Sequence, residues 1–63
     1  MKLKELREEK NLSQKEIAKY LNIAQNTYSR YETGEREPSI EMLKKLAKYY
    51  RVSVDYIIGM KFD

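Results

Sequence analysis

Side chains suited to a protein interior recur at helical spacing along most of the chain. Four successive stretches each place such residues on one face: Leu3 and Leu6; Ile17, Ala18 and Leu21; Ala24, Thr27, Tyr28 and Tyr31; and Ile40, Leu43, Leu46, Ala47 and Tyr50. This spacing predicts amphipathic helices, and no stretch alternates with a period of two for long enough to predict a strand. A fifth short helix is predicted from Val54 to Ile58, so we expect an all-α fold of five short helices.

The second helix has a start signal and a stop signal in the sequence. Ser13 is followed three residues later by Glu16, the pattern of a capping box, which predicts that the helix begins at Gln14. The apolar stripe ends at Leu21, and the next residue, Asn22, suits the left-handed backbone conformation that ends a helix. We therefore expect a helix from Gln14 to Leu21.

The third helix follows after a very short turn. We predict that it runs from about Ala24 to Thr33, where Gly34 ends it. Only Asn22 and Ile23 then connect it to the second helix. A turn this short makes the two helices cross at a steep angle, which is the geometry of a helix-turn-helix motif. In that geometry the second helix of the pair can project from the body of the domain.

The predicted outer face of the third helix is polar and carries no acid. Its residues are Gln25, Asn26, Ser29, Arg30 and Thr33. These are side chains that read base edges in the major groove: Gln and Asn pair with adenine, Arg pairs with guanine, and Ser and Thr pair with several partners. Taken singly, each is more often an ordinary solvated residue. The short turn and the helix caps on either side favour a DNA-reading face.

Composition narrows the classes of function. The 63 residues include no Cys and no His, which excludes a disulfide framework, a thiolate or imidazole metal site, and catalysis by Cys or His. We expect no enzymatic activity, no cofactor and no metal. The 13 Lys and Arg against 10 Asp and Glu give a net charge of +3, which by itself neither proves nor excludes a nucleic-acid partner.

No stretch of the sequence predicts a membrane span or a secretory signal. Charged residues interrupt the apolar ones from the N-terminus onward, and nowhere do about 18 apolar residues run together. We expect a cytoplasmic protein that forms one domain over residues 1–63.

The ordered set of residues from Leu6 to Ile58 resembles the Cro and lambda-repressor-type helix-turn-helix family, also called Xre-type. The residues that carry the resemblance are Leu6-Arg7, Leu12-Ser13-Gln14, Ile17-Ala18, Leu21, Ile23, Tyr28-Ser29, Glu32, Gly34, Pro38-Ser39, Leu43, Leu46-Ala47 and Val52-Ser53-Val54-Asp55-Tyr56. The resemblance implies a lambda-repressor-like domain and a transcriptional regulator, expected to be a repressor. It also implies that the third helix lies in the major groove of a palindromic operator.

The resemblance also implies roles for individual residues. The expected base contacts are Gln25, Asn26, Ser29 and Arg30, and the expected phosphate contacts are Gln14, Thr27, Thr33 and Arg36. Two acids in the loop after the third helix, Glu35 and Glu37, depart from the more basic loops of the family. Ala24 stands where many members place a Ser or Thr cap.

An ion pair is expected between the first and third helices. Arg7 lies beside Leu3 and Leu6 on the apolar face of the first helix, and Glu32 lies near Tyr28 in the third. The resemblance implies that these two positions are paired, as they are in the family. A bidentate Arg-carboxylate bridge suits a partly buried site. The alternative is two independent surface charges.

The C-terminal segment is the predicted site of homodimer formation. It holds more apolar residues than a helix of about five residues packs on one side, and the expected contacts are Val54, Ile57, Met60 and Phe62. The alternative is that all of them close the small core.

A different class of function stays open at this stage. The same fold could serve as a protein-interaction module, antitoxin-like or adaptor-like. Such a module should present apolar anchors on the outer face of the third helix, where this sequence has amides and Arg30.

Overall fold

The computed structural model describes residues 1–59, and these residues form five α-helices and no strand. The helices are α1 (Leu3–Glu9), α2 (Gln14–Leu21), α3 (Gln25–Thr33), α4 (Ile40–Tyr50) and α5 (Val54–Ile58). The predicted all-α class and the predicted order of five short helices are confirmed.

Serine caps begin three of the helices. Ser13, Ser39 and Ser53 each have extended backbone and accept a hydrogen bond from the backbone N–H three residues on, at 3.0 to 3.1 Å. At Ser13 the capping box is complete, because the Ser13 N–H donates back to Glu16 Oε1 at 3.0 Å. Each cap satisfies an N–H group that the helix itself leaves without a partner. Ala24 begins α3 without any side-chain cap.

The turn between α2 and α3 is short but one residue longer than predicted, because α3 begins at Gln25 and not at Ala24. Asn22 takes the left-handed conformation, with φ 60° and ψ 44°. Its N–H donates to Lys19 O at 3.1 Å, and the N–H of Ile23 donates to Ala18 O at 3.0 Å, so the last carbonyls of α2 are paired as the chain leaves the helix. The chain can therefore enter α3 directly.

One apolar core lies between the five helices. Its buried members are Leu3, Leu6, Ile17, Ala18, Leu21, Tyr28, Tyr31, Leu43, Leu46, Tyr50 and Ile57. Most of the residues predicted to face inward are in this set. Tyr28 is fully buried, so α3 is anchored to the core by an aromatic ring.

Two residues predicted to face inward are exposed instead. Ile40 is 71% exposed, because it is the first residue of α4 and the buried stripe of that helix begins one turn later, at Leu43. Ala24 is exposed because it precedes α3 in extended backbone, with φ −69° and ψ 148°, and so does not share the inner face of the helix. Both residues lie at the start of a helix, where periodicity alone does not show which side chains the core covers.

The N-terminal residues pack against α5. The Lys2 N–H donates to Ile57 O at 2.8 Å, and the Lys2 ammonium lies 5.2 Å from the centre of the Tyr56 ring. These contacts join the two ends of the described chain.

Candidate nucleic-acid interface

The outer face of α3 has the accessibility that base reading requires. Gln25, Asn26 and Arg30 are exposed, and Ser29 is half-buried. The first turn of α3 contains no acid. On the opposite side of the helix Tyr28 and Tyr31 are buried, so the polar face stands on a helix that the core holds in place.

Three of the four residues predicted to contact phosphates lie at the two ends of α3. Thr27 is half-buried in the first turn of α3, whereas Thr33 and Arg36 are exposed at its other end. The Thr33 hydroxyl donates to Arg30 O at 3.1 Å, and the Arg36 N–H donates to the same carbonyl at 3.3 Å. The loop is therefore folded against the end of α3 by way of Gly34, whose φ is 84°.

Acidic residues lie beside the basic ones at this end of α3. Arg30 Nε is 4.0 Å from Glu35 Oε2, and both side chains are more than half exposed. A contact of this length between solvated groups contributes little to stability, so Arg30 remains able to exchange Glu35 for another partner. Glu37 is also exposed in this loop.

The ion pair predicted between Arg7 and Glu32 is present. Arg7 Nε donates to Glu32 Oε2 at 2.6 Å, and Arg7 Nη2 donates to Glu32 Oε1 at 3.3 Å. The two side chains are 14% and 5% exposed. Burial alone would raise the pKa of Glu32, but hydrogen bonds from Arg7 and Gln14 outweigh it and lower that pKa below its ordinary value. The hydrogen bond to Glu32 in turn raises the pKa of Arg7.

Gln14 joins this pair, which the sequence did not predict. It is the first residue of α2 and half-buried, and its Nε2 donates to Glu32 Oε1 at 3.0 Å. The two residues are 18 positions apart, and no periodic pattern links residues of different helices.

The sequence profile described as "Helix-turn-helix" matches residues 3–57. The chain belongs to the helix-turn-helix family. The predicted resemblance to the Cro and lambda-repressor type is thereby confirmed.

Relatives of this helix-turn-helix chain are named as transcriptional regulators. It is 45% identical to the HTH-type transcriptional regulator ImmR of Bacillus subtilis over 92% of this chain and 46% of that protein. It is 39% identical to the transcriptional repressor RstR of the cryptic phage CTXphi of Vibrio cholerae, over 92% of this chain and 52% of that protein. The chain thus spans about half the length of these two relatives.

A solved structure supports the same fold. The crystal structure of a transcriptional regulator from Listeria innocua superimposes with a TM-score of 0.89 at 36% identity, over 97% of this chain and 57% of that one.

The predicted dimer contact of this helix-turn-helix chain requires a correction. Ile57 is fully buried in the core, so its side chain offers no surface to a second copy. Val54 is half-buried, and Met60 and Phe62 lie outside the described residues. The exposed apolar residues of α5 are Tyr56 and Ile58, at 47% and 38%. A helix of only five residues completes too few turns for its sequence to show which side faces the core.

Within residues 1–59 no helix is long and apolar enough to cross a membrane. The same part of the chain contains no group of three or more potential metal-ligating side chains placed to hold an ion.

Proposed function

We propose that this chain binds duplex DNA in a sequence-specific manner and regulates transcription as a repressor, with α3 in the major groove. The observation that carries the proposal is the exposed, acid-free polar face of α3, set on a helix whose other side is anchored in the core. A short turn from α2 lets this face project. The names of the relatives, which include a transcriptional repressor, support the same function.

The proposed base contacts are Gln25, Asn26, Ser29 and Arg30. The amides of Gln25 and Asn26 suit adenine, and the guanidinium of Arg30 suits the O6 and N7 acceptors of guanine. Gln14, Thr27, Thr33 and Arg36 are the proposed phosphate contacts, which fix the position of the domain without reading sequence. We also propose that the protein acts in the cytoplasm.

The proposed operator is palindromic and the proposed active form is a homodimer. A chain with a net charge of +3 makes few phosphate contacts, so one copy should bind weakly at physiological salt. Two linked copies on half-sites one helical turn apart would recover affinity without further basic residues.

Selection of bound sequences from randomised duplexes first identifies the preferred site. The affinity of Arg30→Ala for that site and for its single-base variants then tests the proposal. If Arg30 reads a guanine, the variant should lose about 1 to 3 kcal/mol at the preferred site and relax the preference at one base pair. Lys48→Ala, which removes an equal charge from the exposed side of α4, is the matched control and should keep that preference.

Two results would count against this assignment. A uniform loss on unrelated duplexes would mean that Arg30 contacts only phosphate. An absence of salt-sensitive duplex binding by the unaltered protein would favour the protein-interaction module instead.

A further inference from the structure

Side chains from three helices meet at Glu32. Arg7 of α1 donates to both carboxylate oxygens, and Gln14 of α2 donates to Oε1 at 3.0 Å. We call these three residues the Glu32 cluster. Because the Glu32 side chain is only 5% exposed, water competes poorly for these hydrogen bonds. The cluster therefore ties the first residue of α2 to a largely buried anion at the end of α3.

The carboxylate determines which end of the Gln14 amide faces it. An ionised carboxylate only accepts hydrogen bonds, so the NH2 group of Gln14 must point toward Glu32 and the carbonyl oxygen away from it. Each NH2 group has two N–H donors. One is used by Glu32, and the other remains for an acceptor outside the cluster, such as a phosphate oxygen.

The backbone that carries Gln14 is held by the same cluster. Arg7 Nη1 donates to Leu12 O at 2.8 Å, which fixes the loop between α1 and α2. The capping box of Ser13 and Glu16 then fixes the start of α2. The position and rotamer of Gln14 are thus set before any ligand binds, so less conformational entropy is lost when it makes a contact.

We propose that Glu32 is a positioning residue for DNA binding, which holds the amide of Gln14 ready to donate to a backbone phosphate at the start of α2. The inference rests on the proposed function. Glu32 itself makes no DNA contact, and the positive charge of Arg7 offsets its charge near the phosphate. The ion pair thereby serves binding as well as the fold.

A mutant cycle on the duplex recovered by selection tests this role. Gln14→Ala removes the donor. Glu32→Gln keeps the size of residue 32 but replaces one acceptor oxygen by an NH2 donor. With the remaining oxygen on the shorter bond from Arg7 Nε, this donor faces the NH2 group of Gln14, so the hydrogen bond from Gln14 is lost. Each single variant should bind roughly threefold to tenfold more weakly, the range of one hydrogen bond. The double variant should bind no more weakly than the weaker single, because both changes remove the same contact.

A matched control separates positioning from stability. Ala47→Gly weakens the interior of α4 without touching the cluster, and it should leave affinity unchanged at a temperature where all variants are folded. Wild-type affinity in Glu32→Gln, no loss in Gln14→Ala, or losses that multiply in the double variant would each overturn the inference. If the unaltered protein binds no duplex, it is the proposed function that fails.

A measurement on the unaltered protein covers the case in which Glu32→Gln does not fold. The ¹⁵N relaxation of the Gln14 side-chain amide should match that of the backbone of α2, since Glu32 holds it. The side-chain amide of Gln25, exposed on α3, is the internal reference for a free amide. Equal mobility of the two amides would overturn the inference.

Discussion

The bond between Arg7 and Glu32 is the residue-scale contact that most affects the fold. Removing Glu32 leaves a guanidinium that is 14% exposed without its partner. Glu32→Ala should therefore destabilise by more than the ~1 kcal/mol of a surface pair, toward the ~3 to 5 kcal/mol of a broken buried pair. Urea unfolding of Glu32→Ala, Arg7→Ala and the double variant measures this.

Coupling between the two substitutions shows whether Arg7 and Glu32 stabilise the fold as a pair. The double variant should lose less than the sum of the singles, because each single already breaks the same bond. Losses under 1 kcal/mol that simply add would mean that the two charges act independently.

The same carboxylate should make stability depend on pH. The folded chain lowers the pKa of Glu32, so its contribution is fully present above the unfolded pKa of about 4.3 and is lost as the pH falls through the folded value. The stability difference between the unaltered protein and Glu32→Gln should therefore shrink as the pH falls below about 4. Chemical unfolding across the acid range measures it, with Glu37→Gln in the exposed loop as the control. A constant difference at every pH would contradict the expectation.

At the scale of the helices, the missing cap of α3 is the weakest start. Ala24 has extended backbone like that of Ser13, Ser39 and Ser53, so a serine there could accept from the N–H three residues on. Ala24→Ser should stabilise the domain by about 1 kcal/mol, and Ser53→Ala should destabilise it by a similar amount. Thermal unfolding compares the two. No gain in Ala24→Ser would show that α3 is held by Tyr28 and not limited by its start.

Local signals in the sequence predict the helices well but their first turns poorly. Ser13 and Asn22 predicted both ends of α2, because capping and left-handed turns depend on a few adjacent residues. Periodicity placed Ile40 in the core, since a pattern cannot show where neighbouring helices stop covering it. In α5, five residues complete too few turns for a pattern to show that Ile57 faces inward and Ile58 outward.

Part of the candidate site could be predicted from the sequence and part could not. The exposed face of α3 follows from helical periodicity, and the Arg7–Glu32 pair from the family resemblance. The hydrogen bond from Gln14 to Glu32 depends on how α2 crosses α3 in space, which no sequence spacing specifies. That bond is the contact on which the positioning role of Glu32 depends.

At the scale of the whole molecule, α5 presents the surface proposed for a second copy. Tyr56 and Ile58 are partly exposed, and Val54, the first residue of the same helix, is half-buried. Tyr56 and Ile58 replace Ile57 in the proposed contact. Val54 stays in it, as do Met60 and Phe62, which lie outside the described residues. Few apolar side chains are available for this contact, so we expect self-association to be weak without DNA and to reach two chains per palindromic duplex.

Two identical substitutions test this surface. Ile58→Glu places a charge in the proposed contact and should abolish self-association in equilibrium sedimentation and leave one chain per duplex. Ile40→Glu makes the same change at an isoleucine that is more exposed, on α4, and should leave the stoichiometry unchanged. Both sites are solvent-accessible, so both variants should fold, and circular dichroism checks this. One unaltered chain per palindromic duplex, or equal effects of the two variants, would mean that α5 is not the dimer contact. Ile40 exposes the larger fraction of its side chain. A loss of self-association in Ile58→Glu alone is therefore not explained by non-specific hydrophobic association, which Ile40→Glu would reduce at least as much.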